Sequence, residues 1–174
     1  MIVSVEKLKR SITTDLEDEV LEDKIRALEL SVRAYTNNNF QVRTVREEGG
    51  IVAQKLYLLH PIFHVGDTVQ ISETLYNDGV YTVVSVEDSM VELDTPLLDE
   101  SHALVTLVRY PEDVQQGVIN LMKWDLENRN KVGIASETLS RHSVTYFNMD
   151  GDNSTMGFPK SLMGFLKPYR KARF

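Results

Sequence analysis

Two features of this chain have residue types and spacings that could bind a metal ion: a pair of histidines and one acidic loop. His60 and His64 stand four residues apart, the spacing that brings two ligands together on one face of a helix. Pro61 lies between them and disfavours a helix there, so we predict no metal site. Residues 150–153 look like the start of a calcium loop, but the sixth and twelfth positions lack the Gly and Glu that such loops carry. A hairpin turn is the better interpretation.

The sequence contains no recognisable catalytic constellation. The absence of Cys excludes a thiolate nucleophile, a disulfide and a Cys-based metal centre. The G-x-S-x-G nucleophile motif and a phosphate-binding glycine loop with its lysine are also missing. Carboxylates cluster over residues 15–19, at the start of a predicted helix. Acidic residues there usually form a solvated face and stabilise the helix N-terminus, and nothing indicates a catalytic pair. We therefore expect neither an enzyme nor a cofactor.

The C-terminal segment combines basic and aromatic side chains and is the best candidate for binding. The net charge is −7, and the residues after Asp152 contribute five cations and no anion, so the first 152 residues carry −12. Such a tail can stack on bases, dock in an acidic protein groove, add a strand to a neighbouring sheet, or remain a solvated terminus. The candidate partner-binding residues are Lys167, Tyr169, Arg170, Lys171, Arg173 and Phe174.

The longest helical pattern runs over residues 14–37 and contains neither Gly nor Pro. Thr14 and Glu17 predict a capping box at its start, and Asn37 can take the left-handed conformation that ends a helix. One face carries apolar residues at steps of three and four, which predicts packing in a core. These residues are Leu21, Ile25, Leu28, Val32 and Tyr35.

A second apolar flank on this helix indicates either a contact with a neighbouring subunit or one wide stripe that faces the core. A second helix is predicted after Tyr110-Pro111, and it is apolar on several sides. We expect Leu28 and Trp124 to be buried where the two helices pack. The candidates for a subunit interface are Leu16, Val20, Ala27 and Ala34 on the first helix, with Ile119 and Met122 on the second.

Strand-like alternation occupies residues 41–110, which are rich in Val, Thr and Tyr. Turn signals stand at Gly49-Gly50 and at Asn77-Asp78-Gly79. Five or six short strands predict a small antiparallel β-barrel or sandwich. The predicted fold is therefore α+β, with two long helices and a short C-terminal helix in residues 1–40 and 111–174, and an inserted β domain in residues 41–110.

Five segments follow one another along the chain in a distinctive order. They are the acidic-capped helix ending in Arg33-Ala34-Tyr35, then Ser136-Glu137-Thr138-Leu139, Ser143-Val144-Thr145-Tyr146, Gly157-Phe158-Pro159 and Leu166-Lys167-Pro168-Tyr169-Arg170-Lys171. Together they resemble the head–tail connector (adaptor) proteins of long-tailed bacteriophages. The resemblance covers about the first 40 and the last 65 residues, and the β insertion departs from it.

This resemblance implies an α-helical connector core and a twelvefold ring beneath the portal, in the neck of the virion. It implies assembly in the host cytoplasm, a C-terminal tail that reaches the portal protein, and a lower face that receives the next connector, a stopper or a tail-completion protein. DNA would pass through the ring without sequence-specific binding, as an acidic body permits. No membrane partner is expected, because no apolar run approaches the roughly 20 residues of a membrane span. We expect the tail to be poorly ordered until it binds.

Two other functions are compatible with parts of the sequence. One is a nucleic-acid-binding module with a small β-barrel and a basic tail, although Lys and Arg are scarce between residues 56 and 108. The other is a small hydrolase that uses acidic helix residues, for which there is no motif. A DNA affinity that falls steeply with salt concentration would favour the nucleic-acid-binding module. Catalytic turnover of a substrate would favour the hydrolase.

Overall fold

The computed structural model describes residues 1–129, 136–139, 142–145 and 152–172. The chain divides into two compact units. The barrel unit comprises Met1–Ile2 and Asn38–Tyr110, and the helical unit comprises Val3–Asn37 and Pro111–Phe174. The domain division predicted from the sequence, with an inserted β domain in residues 41–110, stays a prediction.

Six antiparallel strands close the barrel unit, because β1 pairs with both β2 and β6. The order around the barrel is β1-β2-β5-β4-β3-β6. Its interior is filled by alternating apolar side chains such as Leu56, Val69 and Val105, none of which is exposed. The strands are β1 (Gln41–Val52), β2 (Lys55–Leu58), β3 (Thr68–Ser72), β4 (Gly79–Glu87), β5 (Met90–Leu93) and β6 (Glu100–Val108).

The turn predicted at Gly49-Gly50 is wrong, because both glycines lie inside β1. The hairpin between β1 and β2 instead turns at Ala53-Gln54, whose φ angles are 50° and 66°. Gly49 is required for another reason: a Cβ there would lie 2.2 Å from the carbonyl oxygen of Tyr57 on β2. Glycine within a strand marks such a close backbone approach, which a side chain would prevent.

The turn signal at Asn77-Asp78-Gly79 falls where two strands are connected, but the connection is longer than a tight hairpin turn. Gly79 is the first residue of β4 and pairs with Ile71, so residues 73–78 form a longer loop between β3 and β4. Asn77 is buried in this loop, with 3% of its surface exposed. A two-residue turn occurs instead between β4 and β5, where Asp88 has a φ of 48°.

The helical unit contains two longer helices and several short elements. Helices α2 and α3 bury one face each, including Ile25 and Leu121, which are fully buried. Leu28 is buried, whereas Trp124 is only half-buried and packs edge-on against the ring of Phe158. The elements are α1 (Val5–Lys9), α2 (Asp18–Thr36), α3 (Glu112–Asn128), β7 (Ser136–Leu139), β8 (His142–Thr145), β9 (Ser154–Thr155), β10 (Phe158–Pro159) and a 3-10 helix (Lys160–Tyr169).

The two ends of α2 differ in how well the sequence predicts them. The capping box is wrong, because the helix begins at Asp18 and its N-cap Glu17 makes no side-chain capping bond. Thr14 lies before the helix and accepts a hydrogen bond from the backbone N–H of Leu16. The left-handed end at Asn37 is confirmed by a φ of 48°.

The fold class predicted from the sequence, an α+β fold on an α-helical connector core, is wrong. The structure is a mixed α/β fold with a closed six-stranded barrel, and its described residues contain no core of long helices. Helices α2 and α3 have 19 and 17 residues, and α1 has five. Pro168 lies inside the C-terminal helix, which is 3-10 rather than α.

Leu28→Ala should lower the free energy of unfolding by about 2–5 kcal/mol, because it removes buried apolar volume from the face of α2 that packs in the helical unit. Leu30→Ala is the matched control on the same helix, since 63% of Leu30 is exposed. Denaturant unfolding measures both. Equal losses in the two variants would contradict the assignment of the buried face.

Gly49→Ala should destabilise the barrel unit by about 3 kcal/mol, since the new methyl group meets the backbone of β2 and one strand has to shift. Gly164→Ala makes the same chemical change where a Cβ would meet no atom within 4 Å. Thermal unfolding of the two variants compares them directly. A Gly49→Ala protein as stable as the control would mean that β1 and β2 do not approach so closely.

Candidate functional site

The C-terminal segment, the strongest sequence candidate, is anchored by the 3-10 helix. Met163 and Leu166 of this helix are buried, with 3% and 0% of their surfaces exposed. Phe165 packs against α3 at Gly117, where a Cβ would lie 2.4 Å from the aromatic ring. Glycine in a helix interior costs about 1 kcal/mol relative to alanine, and here it makes room for the ring. The 3-10 helix therefore anchors the start of the tail, residues 167–174, whose first three residues belong to this helix.

Two hydrogen bonds join the tail to the C-terminal end of α2. The backbone N–H of Lys171 donates to the carbonyl oxygen of Thr36 at 2.8 Å. The side-chain amide of Asn37 donates to the carbonyl oxygen of Ala172, also at 2.8 Å. The last carbonyls of a helix have no partner within the helix, so the tail supplies a donor that α2 needs. The tail thus takes part in capping α2.

Side chains on the tail add two further contacts. The hydroxyl of Tyr169 donates to both carboxylate oxygens of Asp113, at 2.7 and 2.8 Å. This hydrogen bond to a carboxylate raises the pKa of Tyr169 above its usual value. The guanidinium of Arg170 lies 5.2 Å from the centre of the Tyr35 ring, an exposed cation–π contact worth about 0.5–1 kcal/mol. These contacts orient the tail without burying its charges.

The expectation that the tail is poorly ordered in the isolated chain is therefore wrong for residues 167–172. The segment lies against α2 and α3 because the Thr36 carbonyl at the end of α2 accepts a hydrogen bond from its backbone, and the Asp113 carboxylate of α3 accepts one from Tyr169. Lys167, Arg170 and Lys171 stay exposed, so their charges are available to a partner. The remaining candidates, Arg173 and Phe174, lie outside the described residues.

The predicted interface residues fall into two groups. Leu16, Val20, Ala27 and Ala34 are exposed, and the last three lie on one flank of α2. Ile119 and Met122 are buried in the helical unit, with 3% and 1% exposed, and are not available to another subunit. The sequence predicted an interface there because α3 is apolar on several sides, but both side chains are buried within the chain itself.

Leu30 belongs to the exposed flank of α2 and was missed by the sequence analysis. It lies three residues after Ala27 and four before Ala34, and 63% of its surface is exposed. The helical spacing was sufficient to identify it. We call Val20, Ala27, Leu30 and Ala34 together the α2 stripe.

A cluster of charges around Asp125 holds α2, α3 and the segment before the 3-10 helix together. Its carboxylate accepts from Nζ of Lys24 at 2.9 Å and from Nε of Arg129 at 2.5 Å. Burial alone would raise the pKa of Asp125, but the two cations outweigh it and the pKa is lowered. Arg129 also donates to the carbonyl oxygen of Gly157 and lies over the Phe158 ring. The cluster is a stabilising element of the helical unit.

The described residues show neither a metal centre nor a membrane span. No group of three or more acidic or histidine side chains in the described ranges is placed to hold a metal ion. His60 and His64 are exposed, in the loop between β2 and β3 rather than on a helix. None of the described helices is both long and apolar enough to cross a bilayer.

Asp125→Asn should lower the free energy of unfolding at pH 7 by about 2 kcal/mol, since it removes the charge that binds Lys24 and Arg129. The pKa of Asp125 is lowered on folding, so its contribution is complete above the unfolded value of about 3.9 and disappears as pH falls through the folded value. Urea unfolding from pH 7 to pH 3 should therefore show the gap between wild type and variant closing at low pH.

The control for this titration is Glu127→Gln, which neutralises an exposed carboxylate on the same helix. It should leave stability nearly unchanged at every pH. A gap between wild type and Asp125→Asn that stays constant down to pH 3 would show that the charge of Asp125 does not stabilise the fold.

No protein family model matches the chain. No curated protein matches it either.

Proposed function

We propose that this protein is a structural subunit of the bacteriophage neck, a head–tail connector (adaptor) that forms a ring beneath the portal. The observation that carries the proposal is the α2 stripe, an apolar flank that the chain leaves in solvent along a 19-residue helix. A subunit that assembles needs such a surface, whereas an enzyme needs convergent reactive groups. The proposed role is therefore structural and not enzymatic.

A closed ring requires one heterologous interface, in which a surface of each subunit contacts a different surface of the next. The α2 stripe suits one side of such an interface, because Val20 and Leu30 are 40% and 63% exposed and Ala27 and Ala34 permit close approach. A twelvefold ring would match the portal in symmetry, as the resemblance to connector proteins implies.

The tail is the proposed contact with the portal protein. Its backbone is held at the end of α2, while Lys167, Arg170 and Lys171 point their charges into solvent. A cationic segment on an otherwise acidic chain favours an acidic partner surface. Other surfaces of the ring would receive the next connector, a stopper or a tail-completion protein.

The charge distribution also supports a channel through which DNA passes. The first 152 residues carry −12 because the whole chain carries −7 and the rest carries +5. Carboxylates do not attract phosphates, so DNA would move past this body without being held. The same acidity disfavours a barrel that binds nucleic acid. In this proposal the protein resides in the virion neck after assembly in the host cytoplasm.

Removing residues 167–174 should abolish binding to the portal protein while leaving the chain folded. The last fully buried side chain before the cut is Leu166, so the apolar core stays intact. Circular dichroism reports the fold, and co-sedimentation with purified portal reports binding. In particle assembly, heads should fill with DNA but fail to join tails.

Lys160→Glu provides the control, because it changes an exposed cation in the same part of the chain but outside the tail. It should bind portal normally. A truncated protein that still joins heads to tails would defeat the proposed role of the tail. If truncation instead mainly lowered affinity for DNA and flattened its salt dependence, the protein would be a nucleic-acid-binding module.

A further inference from the structure

One end of the barrel is built from three connections between strands. The antiparallel order places the β1–β2 turn, the β3–β4 loop and the β5–β6 loop at the same end, opposite the end at which residue 41 begins β1 and residue 108 ends β6. We call this end the barrel rim. It comprises residues 52–54, 73–78 and 94–100. None of the sequence motifs considered for function involves it.

The buried side chain of Asn77 holds two rim loops in one conformation. Its amide nitrogen donates to the carbonyl oxygen of Leu98 at 2.9 Å and to the carboxylate of Glu100 at 2.6 Å. Its amide oxygen accepts from the backbone N–H of Leu98 at 2.8 Å. The β1–β2 turn is connected to these two loops through Asp99 of the β5–β6 loop, whose carboxylate accepts a hydrogen bond from the backbone N–H of Gln54. Loops fixed in this way present their outward side chains without a large entropic cost of ordering.

The outward side chains on the rim are large and apolar. Leu75 and Tyr76 are 84% and 71% exposed, and they stand directly before the buried Asn77. Leu98 and Val52, on the other two connections, are 60% and 57% exposed. Single exposed apolar residues are ordinary, but four at one end of the barrel, on three connections that are hydrogen-bonded to one another, indicate an interaction site.

Every charged residue on the rim is acidic. The acidic residues of the rim are Glu73, Asp78, Asp94, Asp99 and Glu100. Residues 56–108 as a whole contain nine carboxylates and no Lys or Arg. Asp78 accepts hydrogen bonds from the backbone N–H and hydroxyl of Thr74, which lower its pKa. Asp78 therefore keeps its negative charge at neutral pH. A complementary partner supplies cations around apolar side chains.

We propose that the barrel rim docks a segment of a different protein, one whose apolar side chains are flanked by Lys or Arg. The acidity of the rim excludes nucleic acid as its occupant, and it also opposes pairing of one rim with another. The cationic segment of this chain is its own C-terminal tail, whose backbone is hydrogen-bonded to α2 at Thr36 and Asn37. In a second copy, the described part of this tail offers cations, but its aromatic side chain Tyr169 is already hydrogen-bonded to Asp113, so a heterologous protein with free apolar side chains is the better match. The inference does not depend on the ring proposed above.

The test uses the full chain and a fluorescent peptide in which Leu and Lys alternate. Fluorescence anisotropy at physiological ionic strength should show binding of this peptide. Two comparison peptides, one with Glu in place of Lys and one with Ser in place of Leu, should bind at least about tenfold more weakly. The double variant Leu75→Ser/Tyr76→Ser should lose affinity for the Leu/Lys peptide by a similar factor.

A matched control removes equally exposed apolar residues from the loop between β2 and β3, at the other end of the barrel. Leu59 and Val65 are 77% and 67% exposed, and Leu59→Ser/Val65→Ser should bind the peptide normally. If the Ser/Lys peptide bound as tightly as the Leu/Lys peptide, the contact would be non-specific electrostatic attraction, and the proposal would be overturned. A Leu75→Ser/Tyr76→Ser variant that binds the Leu/Lys peptide as well as wild type does would also overturn the proposal. So would a rim variant that loses only self-association, because the occupant of the rim would then be a second copy of this chain.

Discussion

Closure of the barrel by a single long strand is the constraint on which the barrel unit depends. β1 pairs with β2 on one side and β6 on the other, so no strand of the barrel is left with an unpaired edge. To do so it passes within van der Waals contact of β2 at Gly49, where a side chain would collide with the backbone. Once the strands are closed, the connections can only project from the two ends. The barrel rim, which carries the exposed side chain of Leu75, is one of those two ends.

The helical unit is organised by polar contacts at the ends of its helices. The carbonyl oxygen of Thr36 takes its donor from the tail, and the carboxylate of Asp113 near the start of α3 takes the hydroxyl of Tyr169. Asp125 farther along α3 binds Lys24 and Arg129. These contacts hold the tail backbone in place while its cations stay in solvent. A docked backbone with free charges is already ordered before a partner binds, which lowers the entropic cost of binding.

Local signals in the sequence predicted several elements, and the failures have physical causes. The spacing of Leu21, Ile25 and Leu28 identifies the buried face of α2, and Asn37 ends the helix as its type predicts. Gly49-Gly50 was misread because a glycine pair that permits close strand approach has the same composition as one that turns. The rim and the docking of the tail depend on contacts between residues far apart in sequence, such as Asn77 with Leu98 and Asn37 with Ala172. No period or spacing encodes those contacts.

The central claim is that this chain assembles beneath a portal, and electron microscopy of negatively stained particles tests it most directly. Purified portal would be imaged alone and after mixing with an excess of this protein. The account predicts a coaxial ring of added density on one face of the portal, with the same rotational symmetry. Portal particles that look identical with and without the protein, while the protein itself remains monomeric, would contradict it.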